Sequence, residues 1–282
     1  MKFCFFGYDY TLDIARRLCA DGHELVQIFT FPCDNVYVFN EAIKNYAQTM
    51  RIPITESHIT PKDVKYLIKK GCTLFFSSGY PHKIPAINED KAYGVNLHPT
   101  HLPRARGIMP VPHIIMKAPE AGGFTLHKLT QEFDAGDILY QEKIKIDETT
   151  DIETYNAKMS LRTANAASDI IKNLEHNWQN ATPQNHDKAT EYGIPDDQLR
   201  TLHWNETVEV LCRKGRAFGR FGVYATITNQ SNQSHNLAIF QFSGWAEQHN
   251  HKAGMVLRSH PNEIVIACID GYICLKNFQV IG

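Results

Sequence analysis

Asn96 and His98 stand two residues apart at the end of the apolar run Tyr93-Gly94-Val95. In an extended chain, side chains at that spacing share a face, so an amide and an imidazole would point the same way. That pairing suits attack on a carbonyl: the amide can hold an oxyanion and the imidazole can relay a proton. Taken alone, such a pair is more often a turn former beside a satisfied polar side chain. Its neighbours argue for chemistry. The stretch Pro99-Thr100-His101-Leu102-Pro103-Arg104-Ala105-Arg106-Gly107 carries prolines, arginines and a glycine that force a loop, where sites usually lie. A Gly-flanked apolar strand follows, Phe124-Thr125-Leu126-His127, and then the turn Phe133-Asp134-Ala135-Gly136-Asp137. Asp134 offers a carboxylate that can pair with His98 across a crevice. His127 can line the same crevice or be a packed strand residue.

The elements that would hold these groups follow from the hydrophobic pattern. Residues 2–6 read as a buried strand, 7–9 as a turn, 12–20 as a helix ended by Gly22, and 24–30 as a second strand. Helices near 40–50 and 62–69 precede a strand at 72–76. Such alternation implies a parallel sheet with right-handed crossovers and helices on both faces. Ligands of such sheets bind beyond the carboxyl ends of the strands, near the point where strand order reverses. The loops at Gly7-Tyr8-Asp9, Ser77-Ser78-Gly79-Tyr80 and Asn96-Leu97-His98 would converge there. Residues 138–146 read as a further strand, and Asp147-Glu148-Thr149-Thr150 as a capped, acidic helix start. A long helix then runs to about 174, with Leu161, Ala164, Ala167, Ile170 and Ile171 on an apolar face. The Asn-, Gln- and Pro-containing stretch 176–192 reads as a crossing loop. Beyond Ile194, a helix at 207–216 and short strands at 222–228, 237–242, 254–258, 263–267 and 272–276 make a small β-rich domain. The expected division is a site-bearing domain at 1–185, a linker at 186–200 and a second domain at 201–282.

Composition narrows the class. A chain of 282 residues exceeds one average domain and can bury a sizeable core. Its net charge of −1 gives no bulk attraction to nucleic acid or to an anionic membrane. Seven scattered cysteines include no Cys-x-x-Cys pair and read as reduced thiols of a cytoplasmic protein. The run Met1 to Gly7 is too short for a signal sequence or a membrane span, and no later apolar run is long enough. Gly7-Tyr8-Asp9-Tyr10 is not Gly-x-Gly-x-x-Gly, so a dinucleotide site is not expected. Of fourteen histidines only His98, His101, His113 and His127 cluster, without metal-ligand spacing, and no metal is expected.

The segment from Asn96 to Asp137 resembles the active-site core of the formyltransferases that use 10-formyltetrahydrofolate. Their Asn-x-His, Leu-Pro-x-x-Arg-Gly and downstream Asp in a Gly-containing loop are matched by Asn96, His98, Leu102 to Gly107 and Asp134. The likeness runs over most of the chain and weakens after about residue 215. It implies a Rossmann-like formyltransferase domain of α/β class with a smaller β-rich, OB-like C-terminal domain. It implies that Asn96 is the oxyanion donor, His98 the proton relay and Asp134 its partner. Contacts to the folate are implied for Tyr80, Pro81, Ile84, Leu102, Phe133, Ala135 and Asp137, largely through backbone groups. Acceptor contacts are implied for Tyr8, Asp9, Arg104, Arg106, Arg213 and Arg216. With Arg220, the last two form a cluster that either reaches a diphosphate or is a solvated helix face. Phe31-Pro32-Cys33-Asp34-Asn35 would lie near the nucleotide.

The acceptor follows from what the family branches require. Methionyl-tRNA enzymes carry a basic insertion after the second strand, whereas Thr30 to Tyr37 holds no Lys or Arg. Glycinamide ribonucleotide enzymes have a single domain and no β-rich tail. Tyr192-Gly193, Pro195-Asp196-Asp197 and Trp204 resemble the amino-sugar branch. The expected acceptor is a nucleotide-linked amino sugar, UDP- or dTDP-linked and destined for surface polysaccharide, handled by a chain that can form a homodimer. Methionyl-tRNA, a hydroxyornithine and a carrier-bound aminoacyl group stay open as acceptors. So do hydrolysis of the folate and a non-catalytic folate-binding module.

Overall fold

A computed structural model of the chain describes residues 1–33, 39–228 and 233–281. Its elements run β1 (Lys2–Phe6), α1 (Leu12–Ala20), β2 (Glu24–Phe29), α2 (Glu41–Met50), β3 (Ile54–Thr55), α3 (Pro61–Lys69), β4 (Cys72–Ser78) and β5 (Tyr93–His98). Then come α4 (Pro110–Lys117), β6 (Gly123–Lys128), β7 (Ile138–Lys143), α5 (Ile152–Lys172), α6 (Leu174–Gln179), α7 (Asp197–Arg200) and α8 (Val208–Phe218). The last five are β8 (Val223–Thr228), β9 (Ser234–Ala246), β10 (Val256–His260), β11 (Glu263–Ala267) and β12 (Gly271–Val280). Two compact units result. One comprises Met1–Pro110, Ala121–Lys145 and Asn156–Tyr192; the other comprises Val111–Glu120, Ile146–Tyr155 and Gly193–Gly282.

In the first unit seven strands form one mixed sheet in the order β3-β2-β1-β4-β5-β6-β7. The first five are parallel, while β6 runs antiparallel to β5 and β7 antiparallel to β6. Central parallel strands are covered on both faces and therefore lose the polar alternation of half-exposed ones. Accordingly Phe3, Cys4, Phe5 and Phe6 of β1 are all buried, and β4 is buried along almost its whole length. The rings of Phe6 and Phe29 stack at 4.7 Å, and Tyr80 meets Phe6 edge-on at 5.3 Å. Helix α1 turns Leu12, Ile14, Ala15 and Leu18 inward. At the start of α3, the amide of Asp63 donates to Thr60 Oγ1 at 3.3 Å and the amide of Thr60 donates to Asp63 Oδ2 at 2.8 Å. This reciprocal cap, with Pro61 next, fixes where the helix begins.

Strand order reverses between β1 and β4, so the carboxyl ends of β1, β4 and β5 lie side by side. The loop after β1 rests on the loop after β4. A Cβ at Gly79 would fall 2.2 Å from the ring of Tyr8, and Gly79 itself has a φ of +72°.

Two helices were not read from the sequence: α4 lies in a stretch given no element, and α6 overlaps the stretch read as a crossing loop. Helix α4 carries Pro110 and Pro112 in its first turn, where a missing amide costs nothing but the pattern looks like a breaker. Helix α6 occupies Leu174–Gln179 within a stretch whose polar composition hides it. Residues 34–35, expected near the nucleotide, lie outside the described residues.

The second unit holds an antiparallel five-stranded sheet in the order β10-β11-β12-β9-β8. This is the smaller β-rich domain expected at the C-terminal end, and among the described residues no ladder joins β10 to β8. Strand β9 is longer than its sequence pattern suggests because it pairs with β8 along its first half and with β12 along most of its length. Helix α8 buries Val208, Leu211, Ala217 and Phe218. It also buries Lys214, whose ammonium donates to the Glu206 carboxylate at 2.8 Å and to the Thr201 carbonyl at 2.6 Å. Among the described residues no helix is long and apolar enough to cross a membrane, and all seven cysteines are free.

A methyl group at Gly79 meets both an aromatic ring and an unfavourable φ. Gly79→Ala is expected to lower stability by about 1–3 kcal/mol, read from the urea unfolding midpoint; an unchanged midpoint would contradict this packing.

Candidate active site

Strand β5 delivers Asn96 and His98 to one face, and β6 places His127 directly opposite Asn96 in the antiparallel register. The β6–β7 connection then returns Asp134 to the same place, with the residue in the left-handed region at φ +53°. The four side chains meet. His98 Nδ1 lies 3.3 Å, Asn96 Nδ2 3.4 Å and His127 Nε2 3.6 Å from the same oxygen, Asp134 Oδ1. The other oxygen, Oδ2, accepts from the amide of Gly107 at 2.8 Å. Asp134, His98 and His127 are buried, and Asn96 is half-buried.

Hydrogen-bond logic fixes most of the protons. His127 Nδ1 faces the Lys128 carbonyl at 2.8 Å, and a carbonyl only accepts, so this nitrogen carries the proton. In the neutral ring His127 Nε2 accepts from Asn96 Nδ2 at 3.0 Å; in the protonated ring it donates to Asp134 Oδ1, 3.6 Å away. Likewise His98 Nε2 donates to the Ala105 carbonyl at 2.8 Å, which leaves Nδ1 as the nitrogen whose proton can come and go beside Asp134. Both amide hydrogens of Asn96 point at site groups. The longer one, toward Asp134, is the one that can swing to a new acceptor.

Burial by itself would push the Asp134 carboxyl up, because the charged form loses water. The neighbouring His98 charge, hydrogen bonds from His127 and His98, and the His127 charge reverse that and hold it well below the usual carboxylate range. Asp134 is therefore an anion poised between two imidazoles.

The other expected site residues fall into three groups. Leu102 is buried, with its carbonyl held by Gln141 Nε2 at 2.6 Å. Phe133 is exposed, Ala135 half-buried, and Asp137 pairs with Lys128 at 3.2 Å. These line the two site loops. By contrast Tyr80 and Ile84 pack in the apolar cluster around Phe6 and Phe75, and Pro81 is half-buried next to them. The Tyr80 hydroxyl is buried beside the Ile59 backbone, and burial raises its pKa. Tyr8 lies against Tyr10 and Phe31, at 5.6 and 5.9 Å between ring centres. Asp9 accepts from the Ile43 amide at 2.9 Å, so one carboxylate oxygen caps α2 instead of facing a ligand.

Arg104 is exposed at the loop tip. Arg106 is turned inward, where the sequence reading had it meeting substrate. Its guanidinium donates to Gln184 Oε1 at 2.7 Å and approaches His186 Nδ1 at 3.3 Å. In the second unit Arg213 pairs with Glu209 and donates to the Met116 carbonyl at 3.3 Å. Arg216 lines a cavity of about 770 Å³, and its Nε is buried without a hydrogen-bond partner. Gln184 was not expected. It carries no motif of its own, and only its place in a polar stretch hinted at a role. Among the described residues no group of three or more His, Cys, Asp or Glu side chains is arranged to hold a metal ion.

With this geometry in place, comparison with known proteins is decisive for the family. A family model described as formyl transferase matches residues 83–171, and one described as formyl transferase, C-terminal domain matches residues 196–282. The chain belongs to the formyltransferase family. A methionyl-tRNA formyltransferase from Finegoldia magna is 23% identical over 281 residues, covering 96% of this chain and 89% of that protein. HypX from Aquifex aeolicus, solved in complex with tetrahydrofolic acid, superposes with a TM-score of 0.70 at 17% identity over all of this chain. This chain spans only 44% of HypX. The N-formyltransferase from Helicobacter canadensis, in complex with folinic acid and dTDP-3-aminofucose, gives a TM-score of 0.67 at 16% identity over 99% of both chains. At these identities the structural likeness speaks to the formyltransferase fold.

The depressed Asp134 pKa makes a signed statement about stability. Such a carboxylate stabilises the folded state above its unfolded-state pKa of about 3.9 and loses that contribution as pH falls through the lower folded value. Asp134→Asn should therefore unfold at lower urea than wild type at pH 7, and the gap should narrow in acid. A gap of constant size from neutral to acid pH would contradict the assignment.

Proposed function

We propose that this formyltransferase moves a formyl group from 10-formyltetrahydrofolate to the primary amine of a nucleotide-linked amino sugar. The observation that carries the chemistry is the convergence of Asn96, His98 and Asp134 around one carboxylate oxygen. That donor set fits a formyl donor: a carboxamide for the oxyanion, an imidazole for the proton and a carboxylate for the imidazolium. The folate supplies an activated formyl carbon on a nitrogen leaving group. The residues do the rest.

As the amine adds to that carbon, its oxygen gains charge, and Asn96 donates the hydrogen now turned to Asp134. A single donor of this kind is worth about 2.7–4 kcal/mol. The amine proton moves to His98 at Nδ1, because Nε2 is already committed to the Ala105 carbonyl. Asp134 stabilises the resulting imidazolium, which returns the proton to the departing nitrogen. No protein nucleophile is required, and neither core segment contains a serine or cysteine.

For the acceptor, the reading rests on residue pattern. A near-neutral chain with no Lys or Arg at residues 30–37 offers little to a tRNA, since gripping phosphates takes several cations. The sugar-enzyme fold likeness supports the same choice. Methionyl-tRNA is the second reading, favoured by the activity named for the Finegoldia magna relative.

The test offers the enzyme 10-formyltetrahydrofolate with UDP-, dTDP- and GDP-amino sugars and, separately, methionyl-tRNA. Mass spectrometry should show one formyl group added to a sugar nucleotide and none to the tRNA; the reverse would move the assignment to the second reading. His98→Ala should lose roughly 10²–10⁴-fold in kcat. Near wild-type turnover in that variant would remove the relay.

A further inference from the structure

His98 is held at both nitrogens, and both of its partners hang from one strap. Between Thr182 and Tyr192 the chain crosses the two site loops. At one end the amide of Ile138 donates to the Thr182 carbonyl at 2.8 Å and the Thr182 amide donates back at 2.9 Å. At the other, the Ala105 amide donates to Thr190 Oγ1 at 2.9 Å and the Arg106 amide to the Thr190 carbonyl at 2.8 Å. The Tyr192 amide then donates to the Arg106 carbonyl at 2.9 Å. The far side of this strap thus fixes the segment whose carbonyl receives His98 Nε2.

The near side fixes Asp134, and Gln184 does it. Its carboxamide Nε2 donates to the carbonyls of Asp134 at 2.8 Å and Gly136 at 2.7 Å. Its Oε1 accepts from Arg106 at 2.7 Å. Both hydrogens and one acceptor position are used, and the residue is 6% exposed, so water cannot stand in. The turn it grips needs gripping. Asp134 sits at a positive φ that L-residues rarely adopt, a conformation that persists only where surrounding contacts over-determine it.

We propose that Gln184 is a positioning residue of this site: by clamping the carbonyls of Asp134 and Gly136 and tying them to Arg106, it holds the Asp134 carboxylate against His98 Nδ1. Arg106 acts through the same bond, as the brace on the Gln184 carboxamide. Without the two donors, the turn relaxes toward ordinary φ, the carboxylate withdraws, and His98 loses the group that stabilises its imidazolium. Misplacement of a catalytic group by about 1 Å can cost on the order of 10²-fold in rate. The effect on turnover rests on the formyl-transfer reading above. The effect on His98 does not.

Two variants test it. Gln184→Met keeps the length and removes every hydrogen bond; Gln184→Glu keeps the acceptor for Arg106 and removes both donors. Each is assayed for kcat, for KM of folate and acceptor, for thermal unfolding, and for the ¹⁵N resonances of the His98 imidazole by NMR. The expected result is a fall in kcat of roughly 10- to 100-fold with little change in either KM, and a moved Nδ1 resonance in both variants. Should Gln184→Met fail to fold, Gln184→Glu carries the same expectation. Unchanged His98 resonances in a folded variant overturn the proposal, even if the protein is less stable, because a purely structural residue would lower the melting temperature alone. If the wild type formylates none of the amines offered, the proposed function fails, and the resonances still decide the role of Gln184.

Discussion

A carboxylate taken out of water governs the first unit. Burying such an ion costs several kcal/mol unless donors surround it in good geometry. Asp134 meets that demand with groups from three separate elements: His98 from β5, His127 from β6 and the Gly107 amide from the loop after β5. None of these would serve if the register between β5 and β6 slipped by one residue, since each side chain would then face the opposite side of the sheet. The pairing of Asn96 with His127 is thus a functional constraint as much as a structural one.

Meeting that demand forces the backbone into uncommon conformations. Among the described residues four non-glycine positions have positive φ, and three of them, Ala105, Met109 and Asp134, lie in the two site loops. The fourth, Arg51, merely ends α2. Gly107 adds a further left-handed position, where a Cβ would strike the Tyr192 carbonyl at 2.3 Å. Strain concentrated where chemistry is placed must be compensated by rigid surroundings. The buried hydroxyls of Thr100 and Thr125 supply part of that rigidity. Thr100 Oγ1 donates to the Arg104 and Ala105 carbonyls, and Thr125 Oγ1 donates to the Thr100 carbonyl at 2.8 Å while accepting from the Leu102 amide at 3.1 Å.

Much of this was legible in the sequence because the signals were local. Spacing alone put Asn96 and His98 on one face, and the glycine-bearing turn announced Asp134. The apolar runs of β1 and β4 betrayed a sheet covered on both sides. What stayed hidden was set by tertiary contact. Gln184 lies fifty residues beyond the carbonyl it holds, in a stretch whose composition says only that it is polar. Arg106 looks like a ligand contact by charge, yet its guanidinium is turned to Gln184 and His186, with the Glu132 carboxylate 3.9 Å away. Asp9 shows the same ambiguity, since a carboxylate after a strand can face a ligand or cap the next helix. His127 could not be told from a packed strand residue until the register set it opposite Asn96. In α4 the prolines broke the pattern that residue counting relies on, although the first turn tolerates them.

Donor chemistry and acceptor choice separate cleanly here. Asn96 and His98 sit at a strand end and Asp134 in a tight turn, where a shift of an ångström is costly. Acceptor recognition falls to side chains under no such constraint. A polyanion is gripped through many weak phosphate contacts and needs a field of cations. Of the three cations on α8, Arg213 is matched by Glu209 and Lys214 by Glu206, within the helix or the turn before it. A carboxylate that neutralises a neighbouring cation removes long-range attraction while leaving short-range hydrogen bonding intact.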